Sequence, residues 1–275
     1  MTARRQRGAA LLAGALLALI FTTISAFQIA GWTVGAREHT TRQVVAGPIS
    51  KVRIGTGAGD IVVLPSLDGR LHVDATARGA LHSPDLDVVR EGSEITLEGN
   101  CPKITFGPCQ AQVRLQVPKD ASVEVESGSG DITAEDLDGH AWLRTGSGDV
   151  TARGLGAGGE LRTHSGDVTL QDGTGNFVLE SRSGDVRGAD LASQRVRAET
   201  ASGDVDLLFR RAPSEVDAFT SSGMVHITLP KGEAYNVVTD TGSGDTEIGV
   251  RTDPGAPRIV RAGTESGNVA IGHAG

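Results

Sequence analysis

From Ser127 onward the chain alternates small or polar residues with apolar ones in short runs, as in "DVTLQ" at Asp167–Gln171 and "VHITL" at Val225–Leu229. A period of two predicts strands with one buried face. The runs end at glycine-containing corners, and one corner, Ser-Gly-Asp, recurs. Its glycine falls at Gly130, Gly148, Gly166, Gly184, Gly203, Gly223, Gly244 and Gly267, in steps of 18, 18, 18, 19, 20, 21 and 23 residues. The residue after the Asp position is apolar at Ile132, Val150, Val168, Val186, Val205, Val225 and Val269. Leucines keep phase six residues past the Asp at Leu137, Leu155 and Leu191, and twelve past it at Leu143, Leu161 and Leu179. Each unit therefore holds two short strands and two corners, the second marked by Asp138-Gly139, Gly156 and Asp172-Gly173.

Two strands and two turns in 18 residues make one coil of a β-solenoid. One coil cannot bury its own apolar face, whereas stacked coils bury a continuous core of Val, Ile and Leu. The expected fold is all-β: a solenoid of single-stacked coils of about 18–23 residues after one N-terminal transmembrane helix. A β-sandwich also suits short strands at this spacing, but gives no reason for identical corners. The lengthening steps suggest successive coils with growing loops. "GTGAGDIVV" at Gly55–Val63 is an earlier, isolated copy, and "VRLQVPKDASVEVESGSGD" (Val113–Asp131) echoes "VHITLPKGEAYNVVTDTGSGD" (Val225–Asp245). In each echo a strand ends at Pro, which lacks the ladder donor.

The first residues differ. Arg4, Arg5 and Arg7 precede 25 residues, Gly8–Trp32, with no charge, and about 20 apolar residues cross a bilayer. The organisation expected is a cytoplasmic N-terminus at 1–7, a transmembrane helix or uncleaved signal anchor at 8–32, a polar linker at 33–43 and an extracytoplasmic solenoid at 44–275. The basic flank places the chain after Trp32 outside the cytoplasm, at the cell membrane. A signal peptide cut after Ala26 or Ala30 is the competing reading. Gly is abundant at 38 residues and aromatics are scarce at 3%, which fits a thin structure with many tight corners. A net charge of -8 argues against nucleic acid as a partner.

The N-terminal span, the "SGD(V/I)" corners and the "LPKG" of Leu229–Gly232 resemble the bacterial putative-adhesin families built of β-solenoid repeats, among them the DUF4097 group. The resemblance covers roughly Val44 to Ile271. It implies an extracytoplasmic solenoid and carries no catalytic residues to transfer.

Ser-Gly-Asp reads first as architecture. Gly supplies positive φ or close backbone approach, and Asp accepts a hydrogen bond from nearby backbone in an Asx-turn. Asn268 and Met224 replace Asp in two copies. The sharper alternative is a calcium column of Asp131, Asp149, Asp167, Asp185, Asp204 and Asp245. Carboxylates about 4.8 Å apart repel by roughly 0.9 kcal/mol even in water, a cost that calcium, or the nearby Arg144 and Arg162, would remove. Cys101 and Cys109, in "CPKITFGPC", read as a disulfide clamping a hairpin. "GLGAGG" at Gly154–Gly159 matches a dinucleotide fingerprint but precedes a strand, not a helix. His164, Ser165 and Asp167 are too close in sequence for a triad assembled by a fold. No catalytic residue and no cofactor is expected. The expected role is a non-catalytic surface module in adhesion or envelope interaction, with the membrane and an envelope protein or glycan as partners. An envelope-stress signalling component acting through a membrane partner is the alternative. No exposed aromatic row marks a sugar site.

Overall fold

The structure, a computed structural model, describes residues 37–79, 85–100 and 110–273. The expected transmembrane helix (8–32) and the Cys101–Cys109 disulfide lie outside the described residues. Among the described residues there is no helix of any kind, only strands, turns and bends.

The alternation seen from Ser127 produces strand pairs on either side of each Ser-Gly-Asp corner: β8 (Ser122–Ser127) and β9 (Ile132–Glu135), β10 (Ala141–Ser147) and β11 (Val150–Arg153), β12 (Gly158–Ser165) and β13 (Val168–Gln171), β14 (Asn176–Glu180) and β15 (Val186–Leu191), β16 (Arg195–Ser202) and β17 (Val205–Phe209), β18 (Glu215–Ser222) and β19 (Val225–Leu229). The pairs stack in parallel and in register, so Leu143 faces Leu161 and Val150 faces Val168 across neighbouring strands. The strand before each corner joins one sheet and the strand after it the other. Inward side chains of both sheets, among them Leu137, Leu143, Leu155, Leu161, Leu179 and Leu191, form a single buried core. Each such aliphatic side chain contributes roughly 1.5–3 kcal/mol by leaving water.

The N-terminal part is more regular than the sequence suggests. β1 (Arg37–Val45) already begins within the segment expected to be linker. β2 (Lys51–Thr56) and β3 (Gly59–Pro65) flank the isolated Gly59 copy and make a true rung. β4 (Leu71–Gly79), β5 (Asp85–Glu91), β6 (Glu94–Asn100) and β7 (Gln110–Val117) complete that end. The strands on either side of residues 101–109, β6 and β7, lie in different sheets.

The last strands are β20 (Asn236–Ser243), β21 (Thr246–Ile248), β22 (Ile259–Ser266) and β23 (Val269–His273). The first sheet has twelve strands, ordered β1-β4-β7-β3-β9-β11-β13-β15-β17-β19-β23-β21; the second has eleven, ordered β20-β22-β18-β16-β14-β12-β10-β8-β2-β6-β5. Setting aside the antiparallel strands β1, β4 and β5 leaves ten parallel rungs in each sheet. Nine steps at about 4.8 Å give a rod roughly 43 Å long.

The stacking order corrects the picture of successive coils with growing loops. β2–β3 lies between β6–β7 and β8–β9, and β22–β23 lies between β18–β19 and β20–β21. The chain therefore skips one rung twice, from β7 to β8 and from β19 to β20, and those are the two connections that begin Pro118-Lys119 and Pro230-Lys231. The long sequence echo marks these two skips. The 21-residue step crosses two rungs, and the 23-residue step returns by one. The Gly-rich C-terminal coil is therefore hydrogen-bonded on both sides, and β20–β21 forms that end among the described residues.

Candidate functional site

Each corner glycine, from Gly130 to Gly267, has φ between +125° and +149°, and Gly59 has +139°. They also stack directly. A Cβ added at Gly166 would lie 2.6 Å from the carbonyl carbon of Gly148, and the other internal corners are equally tight. Glycine is required twice over at these positions, by conformation and by space.

The Asp position does not make the local turn expected from the sequence. It bonds between rungs. Asp131 Oδ1 accepts the backbone N–H of Asp149 at 2.9 Å, Asp149 that of Asp167 at 2.8 Å, Asp167 that of Asp185 at 2.8 Å, and Asp185 that of Asp204 at 2.9 Å. Asp204 accepts the N–H of Met224, and Asn268 that of Asp245. Met224 has no oxygen to offer, so the ladder breaks there. The charge is balanced by Arg187, which bridges Asp167 and Asp185; Arg144 and Arg162 instead pair with Glu160 and Glu180 on the outer face of the second sheet. Among the described residues no group of three or more His, Cys, Asp or Glu side chains is placed to hold a metal ion.

A second ladder went unread in the sequence. Three residues before each corner glycine stands Thr or Ser: Thr56, Ser127, Thr145, Thr163, Ser181, Thr200, Thr220, Thr241 and Thr264. Most are buried. Thr145, Thr163, Ser181, Thr200 and Thr220 donate their hydroxyls at 2.8–2.9 Å to the corner glycine carbonyl of the preceding rung. At the second corner the left-handed residues are Asp136, Gly154, Asp172 and Asp190, two residues before the expected Asp138 and Gly156 in two copies and at the expected Asp172 in a third.

With the recurrent residues consumed by the corners, the outer faces of the two sheets remain for recognition, and the second sheet's face is the one that carries the exposed Trp142. It is laced by ion pairs: Lys51 and Arg53 with Glu124, Arg162 with Glu180 at 2.8 Å, and Arg261 with Glu215 and Asp217. Lys51, 2.7 Å away, and then Arg53 hold the Glu124 carboxyl below the ordinary glutamate range against the opposing effect of burial. Amid these charges Trp142 projects with 39% of its surface exposed. His140 packs at 4.2 Å between ring centroids, and the Lys51 ammonium lies 5.7 Å from the indole centroid. Beside Trp142 opens a hollow of about 350 Å³ that runs past Asn176 and Val178 to Arg195, Arg197 and Asp217. The last two glycines of "GLGAGG" serve close backbone packing: a Cβ at Gly158 would lie 2.3 Å from the Asn176 carbonyl oxygen and one at Gly159 2.1 Å from that of Ala141, and the dinucleotide fingerprint has no helix to complete it. His164, Ser165 and Asp167 follow one another along a strand and corner, and no hydrogen bond joins their side chains among the described residues.

A family model described as Toastrack DUF4097 matches residues 49–271. Among solved structures, a putative adhesin from Bacteroides fragilis is similar at 16% identity and a TM-score of 0.50, over 86% of this chain and 97% of that one. A putative adhesin from Parabacteroides distasonis shares 12% identity at a TM-score of 0.43, over 86% and 97%. A putative cell adhesion protein from Clostridium sporogenes shares 11% at 0.30, over 86% and 100%. No functionally curated protein matches the sequence.

Proposed function

The chain belongs to the Toastrack DUF4097 family, and we propose that it works as a non-catalytic, adhesin-like surface module: a rigid two-sheet rod held at the cell membrane by residues 8–32, with the rod outside the cytoplasm. The observation that carries this reading is the division of labour in the repeat. Its recurrent chemistry, Thr or Ser, Gly and mostly Asp at the corners, is spent on hydrogen bonds between rungs, which leaves a long, mixed-charge sheet face as the surface for a partner. Solenoid faces serve other repeat proteins in that way. The description of the Bacteroides fragilis neighbour as a putative adhesin points in the same direction.

The test displays the full chain on cells and measures their retention on surfaces coated with cell-wall polymer or host glycan, against cells lacking the chain. Retention that depends on the chain supports the reading. Equal retention, with crosslinking that recovers only a membrane kinase or an anti-sigma factor, overturns it in favour of signalling.

A further inference from the structure

We propose that the hollow beside Trp142 is a binding site for a neutral glycan. The proposal rests on the adhesin-like reading and names the ligand class of that surface. Four observations carry it. Trp142 is partly exposed and lines the hollow, and His140 and Lys51 contact its ring and fix its position. An aromatic face stacks on the apolar C–H face of a pyranose while leaving its hydroxyls free at the rim. The hydroxyls then meet planar hydrogen-bonding groups. Asn176 and Arg195 line the hollow, and neither side chain has a hydrogen-bond or ion-pair partner among the described residues.

Charge selects against ionic ligands. Arg195 and Arg197 share the hollow with Glu160, Glu215 and Asp217, and those three carboxylates are already paired with Arg162 and Arg261, so the site has no strong charge to attract a phosphate or an acidic or basic peptide. The backbone selects against an extended peptide as well. Every strand under the hollow, β10 through β18, is paired on both sides, and no sheet edge is open there for strand addition. A neutral ring with one apolar face and many hydroxyls satisfies both conditions. The hollow runs across five strands, four steps at about 4.8 Å or roughly 19 Å, so it accepts an oligosaccharide lying across the strands.

The experiment titrates the full chain, in a zwitterionic detergent without sugar headgroups, with N-acetylglucosamine and glucose oligomers of increasing length. Calorimetry reports affinity. The expected result is affinity that rises with oligomer length and levels off once the hollow is filled. Trp142→Ala should weaken binding by about tenfold, and Asn176→Ala should weaken it with an unchanged melting temperature. Phe219→Ala, an exposed aromatic on the same sheet outside the hollow, should leave binding unaltered. No binding of either oligomer series at millimolar concentration, unchanged affinity in both Trp142→Ala and Asn176→Ala, or tighter binding of a charged peptide would each overturn the site. If cells displaying the chain still adhere when oligomers do not bind, the glycan site fails and the adhesin-like reading stands. If cells displaying the chain do not adhere at all, that reading fails first.

Discussion

Gly166→Ala tests the corner in its simplest form. Gly166 has φ +145°, and the new Cβ would lie 2.6 Å from the carbonyl carbon of Gly148. Holding an alanine in that conformation costs about 1–3 kcal/mol. The overlap must also be relieved by separating two rungs, which strains the Thr163 hydroxyl bond to the Gly148 carbonyl at 2.9 Å and the Asp167 N–H bond to Asp149 at 2.8 Å. Each is worth about 1 kcal/mol, so the total loss is about 3–5 kcal/mol. The paired variants separate shape from charge. Asp167→Asn keeps the acceptor for the Asp185 N–H and loses only the 3.4 Å exposed pairing with Arg187, a change of about 0–1 kcal/mol. Asp167→Ala removes the acceptor itself and costs about 1 kcal/mol. Urea unfolding of the full chain in mild detergent, followed by circular dichroism, gives all three values. A Gly166→Ala loss under about 1 kcal/mol would refute the requirement for glycine. An Asp167→Asn loss as large as that of Asp167→Ala would refute the neutral ladder and return attention to the carboxylate charge.

Thr163→Val should cost about 1–2 kcal/mol, because it buries the Gly148 carbonyl without its 2.9 Å donor, while Thr163→Ser should retain most of the stability; equal melting temperatures for both would refute the hydroxyl ladder. Met224→Asp supplies the missing oxygen between the Gly223 and Gly267 corners, so thermal melting should show a gain of up to about 1 kcal/mol, and a loss would count against the inter-rung geometry. The lowered Glu124 titration makes a signed prediction. A depressed folded value contributes stability that is complete above the unfolded value and is lost as pH falls through the folded one. The melting-temperature gap between wild type and Glu124→Gln should therefore close in acid, and a gap that widens in acid would refute the ion pair with Lys51.

Periodicity made the rungs legible. The leucines at six and twelve residues past the Asp, and the apolar residue after it, are the residues that fill the core, because stacking in register forces the same environment onto the same position of every coil. Rung order was not legible in the same way. A spacing of 21 or 23 residues records chain length, and length does not distinguish a longer loop from a skipped rung. The Pro-Lys echo carried that information, though only the strand pairing shows what it means. The Asp bonds were misplaced for a related reason: an Asx-turn is local in sequence, whereas the acceptor here serves a donor 18 residues away. The Trp142 hollow is lined by residues of five strands spread along the sequence, and no local motif marks it. The hydroxyl three residues before each corner was plain in the sequence and required only alignment of the copies.

The double insertion of rungs has a mechanical consequence. Among the described residues a pulling force applied from the N-terminal side meets β1 first, and β1 has a single partner strand there, β4. It can peel away without opening the parallel stack. The next strand, β2, is gripped on both sides by β6 and β8, and rupture there must break two ladders together. The far terminus is guarded alike, since β22 and β23 each sit between two neighbours. The rod would yield a short length of slack and then hold, as a tether under shear should, and unravelling from either end would be arrested at its first enclosed rung.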